Sequence, residues 1–265
     1  MKQILALQSD FDKPEYFEDS QNVLFFSKKS PFKDTCNEDA LGVFKVENGF
    51  VLAIADGAGG HPKGEEAAEL VLKNLKKNLS DTKDTQSGIR TRIIDAIENT
   101  NKELIQSGVG ARTTITVCEV IGNTARGYQV GDSTLVICGQ KGKLKFRSTS
   151  HSPVGYGIEA GLINEKEALS HPDLHYISNL VGESEMKIEI GPEVELNPND
   201  SIFLSSDGIF DNFPPDEVIE LVRKGGIAEI SDTLMNLVNK KIYDKDESKK
   251  DDISFILFKN DESSA

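Results

Sequence analysis

The sequence predicts an α+β fold, a central antiparallel β-sandwich flanked by helices on both faces. Three observations predict it. Short runs rich in Val, Ile and Phe recur with Gly, Asn and Asp between them, which is how strands and tight turns read. Longer blocks carry apolar residues at three- and four-residue spacing, as helices do. The two patterns do not alternate as regular strand–helix–strand units, so antiparallel sheets with helices outside fit better than a parallel sheet.

Strands are predicted at Asn22–Ser27, Leu41–Val46, Phe50–Ala55, Thr114–Ile121, Ala125–Val130, Thr134–Cys138, Leu144–Ser148, Lys187–Ile190, Ser201–Ser205 and Ile253–Phe258. Hairpin turns fall at Ile121–Ala125 and Cys138–Gly142, where Gly and Asn tolerate positive φ. Helices are predicted at Gly64–Leu79, with Ala67, Ala68, Val71, Leu72 and Leu75 on one face, and at Ile89–Ile105, with Ile93, Ile94, Ile97 and Leu104. Shorter helices are expected at Glu165–Ser170, Pro215–Lys224 and Ala228–Tyr243. Asp244–Asp252 reads as a solvated charged loop. No repeat or low-complexity linker divides the chain, so residues 1–265 are read as one domain.

The 265 residues hold 44 acids against 30 bases, a formal charge of −14. That excess argues against nucleic-acid or anionic-membrane binding, because both partners are polyanions. Three cysteines without a CxxC pattern fit a reducing compartment. The patch at Met1–Leu7 lacks the length and cleavage site of a leader, and the apolar runs are strand-sized rather than membrane-sized. A soluble, cytoplasmic, monomeric protein is expected.

The acids are distributed in a pattern. Phe50–Ala55 runs into Asp56-Gly57, Ile202–Ser206 into Asp207-Gly208, and Tyr128–Val130 into Gly131-Asp132, while Asp251-Asp252 opens the last strand and Glu38-Asp39 precedes another. A carboxylate at a strand end is held rigidly yet faces a loop-lined cleft. A following glycine lets a backbone carbonyl approach a cation beside it. Converging carboxylate, carbonyl and water oxygens suit Mg²⁺ or Mn²⁺, and two such ions about 3.5–4 Å apart can activate water and clamp a phosphoryl group. Each Asp-Gly alone is more simply a turn; the repetition carries the argument.

Other motifs fail on particular residues. Gly57–Gly64 lies between strand and helix like a phosphate loop, but Pro62 stands where a dinucleotide fingerprint needs Gly or Ala, and Walker A needs Gly at 62 and Ser or Thr at 64. No G-x-S-x-G elbow is present. His171 and His175 have zinc-like spacing, but Pro172 makes them part of a helix-ending loop. An EF-hand counted from Asp244 would need glycine at Lys249 and glutamate at Phe255.

Asn37-Glu-Asp-Ala40, Ala55-Asp-Gly-Ala-Gly-Gly-His61, Gly131-Asp-Ser133, Ser206-Asp-Gly208 and Asp251-Asp-Ile-Ser254 occur in the order found in metal-dependent PP2C-type (PPM) protein serine/threonine phosphatases, which the chain resembles from about Gln21 to Phe258. Glu159–Ala168 with His171-Pro172 resembles the flap of the bacterial branch, placed at 151–181. The resemblance implies α-β-β-α layers and hydrolysis of phosphoserine and phosphothreonine in proteins by direct attack of a metal-bridging hydroxide, in opposition to a serine/threonine kinase. It implies two Mn²⁺ or Mg²⁺ ions, with Asp56 bridging them, the Gly57 carbonyl on one, Asp207 and Asp251 on the other, and Glu38 and Asp39 beside them. A third, weakly held ion would lie at Asp132 and Asp207. The family histidine two residues after the bridging aspartate is Ala58 here, which leaves leaving-group protonation to water. The family's phosphate-binding arginine falls at Asp34, so Lys33 or Arg112 would take that role. Two other readings remain open: the same fold as a regulatory module without catalysis, and a phosphatase of small metabolites.

Overall fold

The computed structural model describes residues 2–18, 20–80, 87–141, 143–242 and 249–260. In chain order the elements are β1 (Gln3–Leu7), β2 (Glu15–Phe17), β3 (Ser20–Lys28), β4 (Asp39–Val46), β5 (Gly49–Asp56), α1 (Gly64–Ser80), α2 (Ser87–Ser107), β6 (Ile115–Ile121), β7 (Thr124–Val130) and β8 (Thr134–Cys138). There follow β9 (Leu144–Arg147), α3 (Pro153–Glu159), α4 (Glu165–Ala168), β10 (Glu189–Ile190), β11 (Val194–Glu195), β12 (Ser201–Ser205), α5 (Asp207–Phe210), α6 (Pro215–Arg223), α7 (Ile227–Ile242) and β13 (Ile253–Lys259).

The strands make two antiparallel sheets. One runs β1-β4-β5-β6-β7-β10, with β11 also on β7; the other runs β2-β3-β13-β12-β8-β9. The two-residue period of a strand sorts each run between two cores. On β5, Val51, Ala53 and Ala55 pack under Ala67, Ala68, Val71 and Leu72 of α1, with Ile93 and Ile97 of α2 in the same core. Leu52 and Ile54 point the other way, against Leu204 and Ile202 of β12 and Ile256 of β13. The opposite face of the second sheet, including Phe203, Phe255 and Leu257, is covered by Val218, Val222, Leu234 and Val238 of α6 and α7. Four layers result, and central strands buried on both faces read as unbroken apolar runs.

All ten predicted strands are present within a few residues, although only Glu189–Ile190 of the Lys187–Ile190 run is paired. The Ile121–Ala125 turn joins β6 to β7, with Gly122 at φ 55°. Three strands and two helices lie outside the prediction. β2 and β11 have three and two residues, too short for a period to register. β1 uses the apolar patch Gln3–Leu7 as an edge strand on β4. α3 begins with Pro153 and carries two glycines, yet Ser152 caps it by accepting the Gly155 N–H at 2.9 Å, a start favoured by capping and by proline in the first turn. Tyr243 and the predicted loop at 244–248 lie outside the described residues.

Candidate active site

Antiparallel pairing places the C-terminal end of one strand beside the N-terminal end of its neighbour. That rule gathers the acids. Asp39 opens β4 directly opposite Asp56 at the end of β5. On the other sheet, Ser205 at the end of β12 pairs with Thr134 at the start of β8 and with Phe255 near the start of β13. Asp207 therefore lies at the same end as Asp132, Asp251 and Asp252. Hydrogen bonds join the two ends: Ser206 Oγ donates to Asp39 Oδ2 at 2.8 Å, and the backbone N–H groups of Ser30 and Glu38 donate to Asp252 Oδ1 and Oδ2 at 2.8 and 2.9 Å.

Asp56 is fixed through its backbone. Its N–H donates to Thr114 Oγ1 at 3.0 Å, and its carbonyl accepts from the Thr114 N–H and Thr113 Oγ1, each at 2.8 Å. The Gly57 N–H donates to the Glu38 carbonyl at 3.1 Å. A Cβ on Gly57 would lie 2.4 Å from the carbonyl carbon of Gly64 and 2.6 Å from its oxygen. The strand end thus packs directly on the first turn of α1. Gly57→Ala is expected to push them apart at about 1–3 kcal/mol, the usual cost of overpacking, lowering Tm by roughly 2–12 °C. A thermal melt checks this, and an unchanged Tm would contradict the packing argument. The same contact disposes of the phosphate-loop reading: the loop is closed on itself, and α1 opens with Glu65 and Glu66, which repel an anion.

The carboxylates are crowded beyond what the protein neutralises. Burial, then the charges of Asp39, Asp207, Asp251 and Asp132, hold the Asp56 carboxyl well above its usual range. Asp39, 2% exposed, is raised by burial and by Asp252, against hydrogen bonds from Ser254 and Ser206. Asp132 is raised by burial and by Asp207 and Asp211. Asp251 is raised by burial and Asp207, with Lys33 opposing. Asp39 Oδ1, Asp132 Oδ1 and Asp207 Oδ1 are buried without a hydrogen-bond partner among the described residues, a costly condition for carboxylate oxygens.

Two lysines partly answer this charge. Lys33 Nζ lies 2.7 Å from Asp251 Oδ1, 3.0 Å from Glu38 Oε2 and 3.2 Å from Asp252 Oδ2; burial works against its charge, but these acids hold it firmly protonated. Lys249 Nζ lies 2.6 Å from Asp207 Oδ2 and also contacts Asp211 Oδ2. Among the described residues no three His, Cys, Asp or Glu side chains are grouped so that they could by themselves hold one ion. The donor set nevertheless fits hard divalent ions, which take carboxylate and carbonyl oxygens and complete their shells with water; the orphaned Asp207 Oδ1 is an oxygen that such an ion would satisfy.

Sequence reasoning located Glu38, Asp39, Asp56, Gly57, Asp132, Asp207 and Asp251 at this end, and Lys33 among them. Arg112 sits at the rim, with Nη1 2.8 Å from Glu183 Oε1 and 2.9 Å from His61 Nε2. The solvated reading of the charged run fails at Lys249, which lies in the site together with Asp251 and the 2%-exposed Asp252, while Lys250 is exposed. His171 and His175 lie in turns; His171 Nδ1 accepts the Asp173 N–H at 3.2 Å and His175 stacks on Tyr176, so they do not share a helix face.

Ser206 and Asp211 were not foreseen. Asp211 follows Asp207 by one turn, its N–H donating to the Asp207 carbonyl at 2.8 Å, and the i, i+4 spacing was a usable signal. Burial and the Asp207 charge push its carboxyl up to about 7 despite Lys249. A carboxyl raised above its unfolded value binds protons more tightly in the folded state, so stability falls as pH rises from about 4 to about 7 and levels off above. Asp39, Asp56 and Asp132 act with the same sign. In chelator, Tm is therefore expected to contain a component that falls between pH 5 and 7 and that Asp211→Asn reduces; an identical pH slope in the variant would contradict this.

A cavity of about 430 Å³ adjoins the Asp132–Asp207–Asp211 corner and is roofed by α3, α4 and Leu174. Arg147 lines it and is held by Glu165 of α4 at 2.6 Å. The 151–181 segment is pinned at its base by His151, 3% exposed. Its Nδ1 accepts the Gly131 N–H at 3.1 Å and Asn179 Nδ2 at 2.8 Å, while Nε2 lies 3.1 Å from Glu189.

Four layers with strand-end carboxylates converging at one end define a phosphatase of the type the motifs resemble. The profile described as Protein phosphatase 2C matches residues 32–246, and the chain belongs to that family. It is 30% identical over 219 residues to Protein phosphatase PhpP of Streptococcus pneumoniae, covering 78% of this chain and 87% of the relative. It is 28% identical to Serine/threonine phosphatase stp of Listeria monocytogenes, covering 77% and 84%. Among solved structures, Serine/threonine phosphatase Stp1 from Staphylococcus aureus superposes with a TM-score of 0.78 at 26% identity, covering 95% of this chain and 98% of that one.

Proposed function

We propose that this chain hydrolyses phosphoserine and phosphothreonine in proteins, using two divalent ions held by its strand-end carboxylates. One observation carries the reading: Asp39, Asp56, Asp132, Asp207 and Asp251 meet at one end of both sheets, with three buried carboxylate oxygens that have no hydrogen-bond partner among the described residues. The names of the bacterial relatives as serine/threonine phosphatases support the substrate class.

Asp56, the Gly57 carbonyl, Asp207 and Asp251 would hold the ions, with Glu38 and Asp39 adjoining. Bound there, Mn²⁺ or Mg²⁺ supplies a water of lowered pKa and neutralises charge on the phosphoryl oxygens. The chain's own part is to hold that end rigid: Thr113 and Thr114 fix the Asp56 backbone, Ser206 and Asp252 tie the two sheets together, and Gly57 keeps α1 close. Lys33 adds positive charge where the phosphoryl group would sit. Arg112 could reach a phosphate only by leaving Glu183. Ala58, buried, gives no acid to the leaving group, so water protonates it. The 151–181 segment, with its cavity and the exposed Leu162 and Tyr176, would receive the protein around the phosphorylated residue. The phosphorylated substrate implies an opposing serine/threonine kinase.

A non-catalytic regulatory module is the second reading, favoured by Lys33 and Lys249, which neutralise carboxylates without metal. Phosphate release from a phosphothreonine peptide separates the two. Activity is expected with Mn²⁺, none in chelator, and an Asp207→Asn loss of roughly 10²–10³-fold, comparable to removing one key electrostatic group elsewhere. No turnover with Mn²⁺, or an unaffected Asp207→Asn variant, would favour the module; faster turnover of phosphorylated metabolites than of the peptide would point to a small-molecule phosphatase.

A further inference from the structure

The corner formed by Asp132, Asp207 and Asp211 already contains a cation of the chain's own. Lys249 Nζ hydrogen-bonds Asp207 Oδ2 at 2.6 Å and also Asp211 Oδ2, and its side chain is 26% exposed. Its position is built into the backbone: the Lys249 N–H donates to Asn212 Oδ1 at 2.8 Å, and Asn212 Nδ2 donates to the Lys249 carbonyl at 3.3 Å and to the Gly208 carbonyl at 2.8 Å. Asn212 thus ties residue 249 to the same short helical turn that carries Asp207 and Asp211. Asp132 Oδ1 and Asp207 Oδ1 are buried at the same corner without a hydrogen-bond partner among the described residues.

We propose that Lys249 is an internal counter-cation that takes the place of a third divalent ion at this corner, so that the chain binds two ions and not three. The inference rests on the reading of Asp207 as a ligand of the two-ion centre. A divalent ion entering here must take oxygens from Asp132, Asp207 and Asp211, but one oxygen of Asp207 and one of Asp211 are already bonded to an ammonium. Asp207 Oδ1 remains free to serve the two-ion centre, so an ion at this corner would have to share Asp207 and Asp211 with the ammonium that already holds them. Keeping Lys249 in place would add like-charge repulsion within a few ångströms; expelling it would break both charge-assisted hydrogen bonds. Either way the third ion is disfavoured, whereas the first two would still have Asp56, the Gly57 carbonyl, Asp207 Oδ1 and Asp251.

Equilibrium dialysis against Mn²⁺, with metal per chain counted by mass spectrometry, tests this without using activity. The wild type is expected to saturate at two ions. Lys249→Met and Lys249→Ser are expected to saturate at three, Lys249→Arg at two, and adding Asp132→Asn to Lys249→Met is expected to return the count to two. A thermal melt of each variant confirms that it is folded. Three ions on the wild type, or two on both the Met and the Ser variants, would overturn the proposal. Fewer than two on the wild type would overturn the two-ion centre beneath it, and the proposal with it, a result distinct from either of those.

Discussion

Asp56→Ala is expected to reduce kcat by roughly three orders of magnitude or more and to abolish tight Mn²⁺ binding. Asp56 feels the charges of Asp39, Asp207, Asp251 and Asp132 at once, so its carboxylate faces members of the cluster from both sheets. Metal assistance in phosphoryl chemistry is worth several kcal/mol, and each 1.36 kcal/mol is tenfold in rate; losing the shared ligand forfeits both ions' contribution. The substitution should not unfold the protein. Asp56 is held by backbone bonds to Thr113 and Thr114 that alanine retains, and removing one member of a mutually repelling set relieves strain in chelator. The expected pair of results is an inactive variant with an unchanged or raised Tm in chelator. Retained activity would mean that the chemistry is elsewhere.

Lys33→Met is expected to lower Tm, and Mn²⁺ is expected to recover part of the loss. Lys33 bonds Glu38, Asp251 and Asp252 together. Breaking a buried ion pair typically costs about 3–5 kcal/mol; with the Lys33 side chain 24% exposed, about 2–3 kcal/mol is the reasonable expectation, or roughly 4–12 °C. Lys33→Arg keeps the charge and should keep most of the stability. The comparison also bears on substrate phosphate: a contact made by Lys33 would raise KM in Lys33→Met, whereas a purely compensating role would move Tm alone. An unchanged Tm in Lys33→Met would show that the three carboxylates do not depend on it.

Much of the fold was legible because its central strands are buried on both faces and its two long helices each carry one apolar stripe. What escaped was short or locally disguised. β2 and β11 have no room for a period, and α3 hides behind glycines that are there for close contact: a Cβ on Gly155 would lie 2.3 Å from the Ser150 carbonyl oxygen. The site's carboxylates were legible from strand ends followed by glycine, and antiparallel pairing explains why those separate ends meet. Asp211, Ser206 and Lys249 were not, for different reasons. Asp211 depends on a single helical turn, Ser206 acts by reaching across to the other sheet, and Lys249 lies in a charged run whose ordinary fate is solvation. The ion pairs of Lys33 and Arg112 belong to the tertiary structure, so sequence could nominate both for phosphate but could not assign their partners.

The most direct test of the central claim, that these strand ends form one divalent-cation centre, is an anomalous difference map from crystals grown with Mn²⁺. The account expects two peaks about 3.5–4 Å apart among Asp56, Asp207, Asp251 and the Gly57 carbonyl, with Lys249 still on Asp211. Peaks absent from that cluster, or present only elsewhere on the chain, would contradict it.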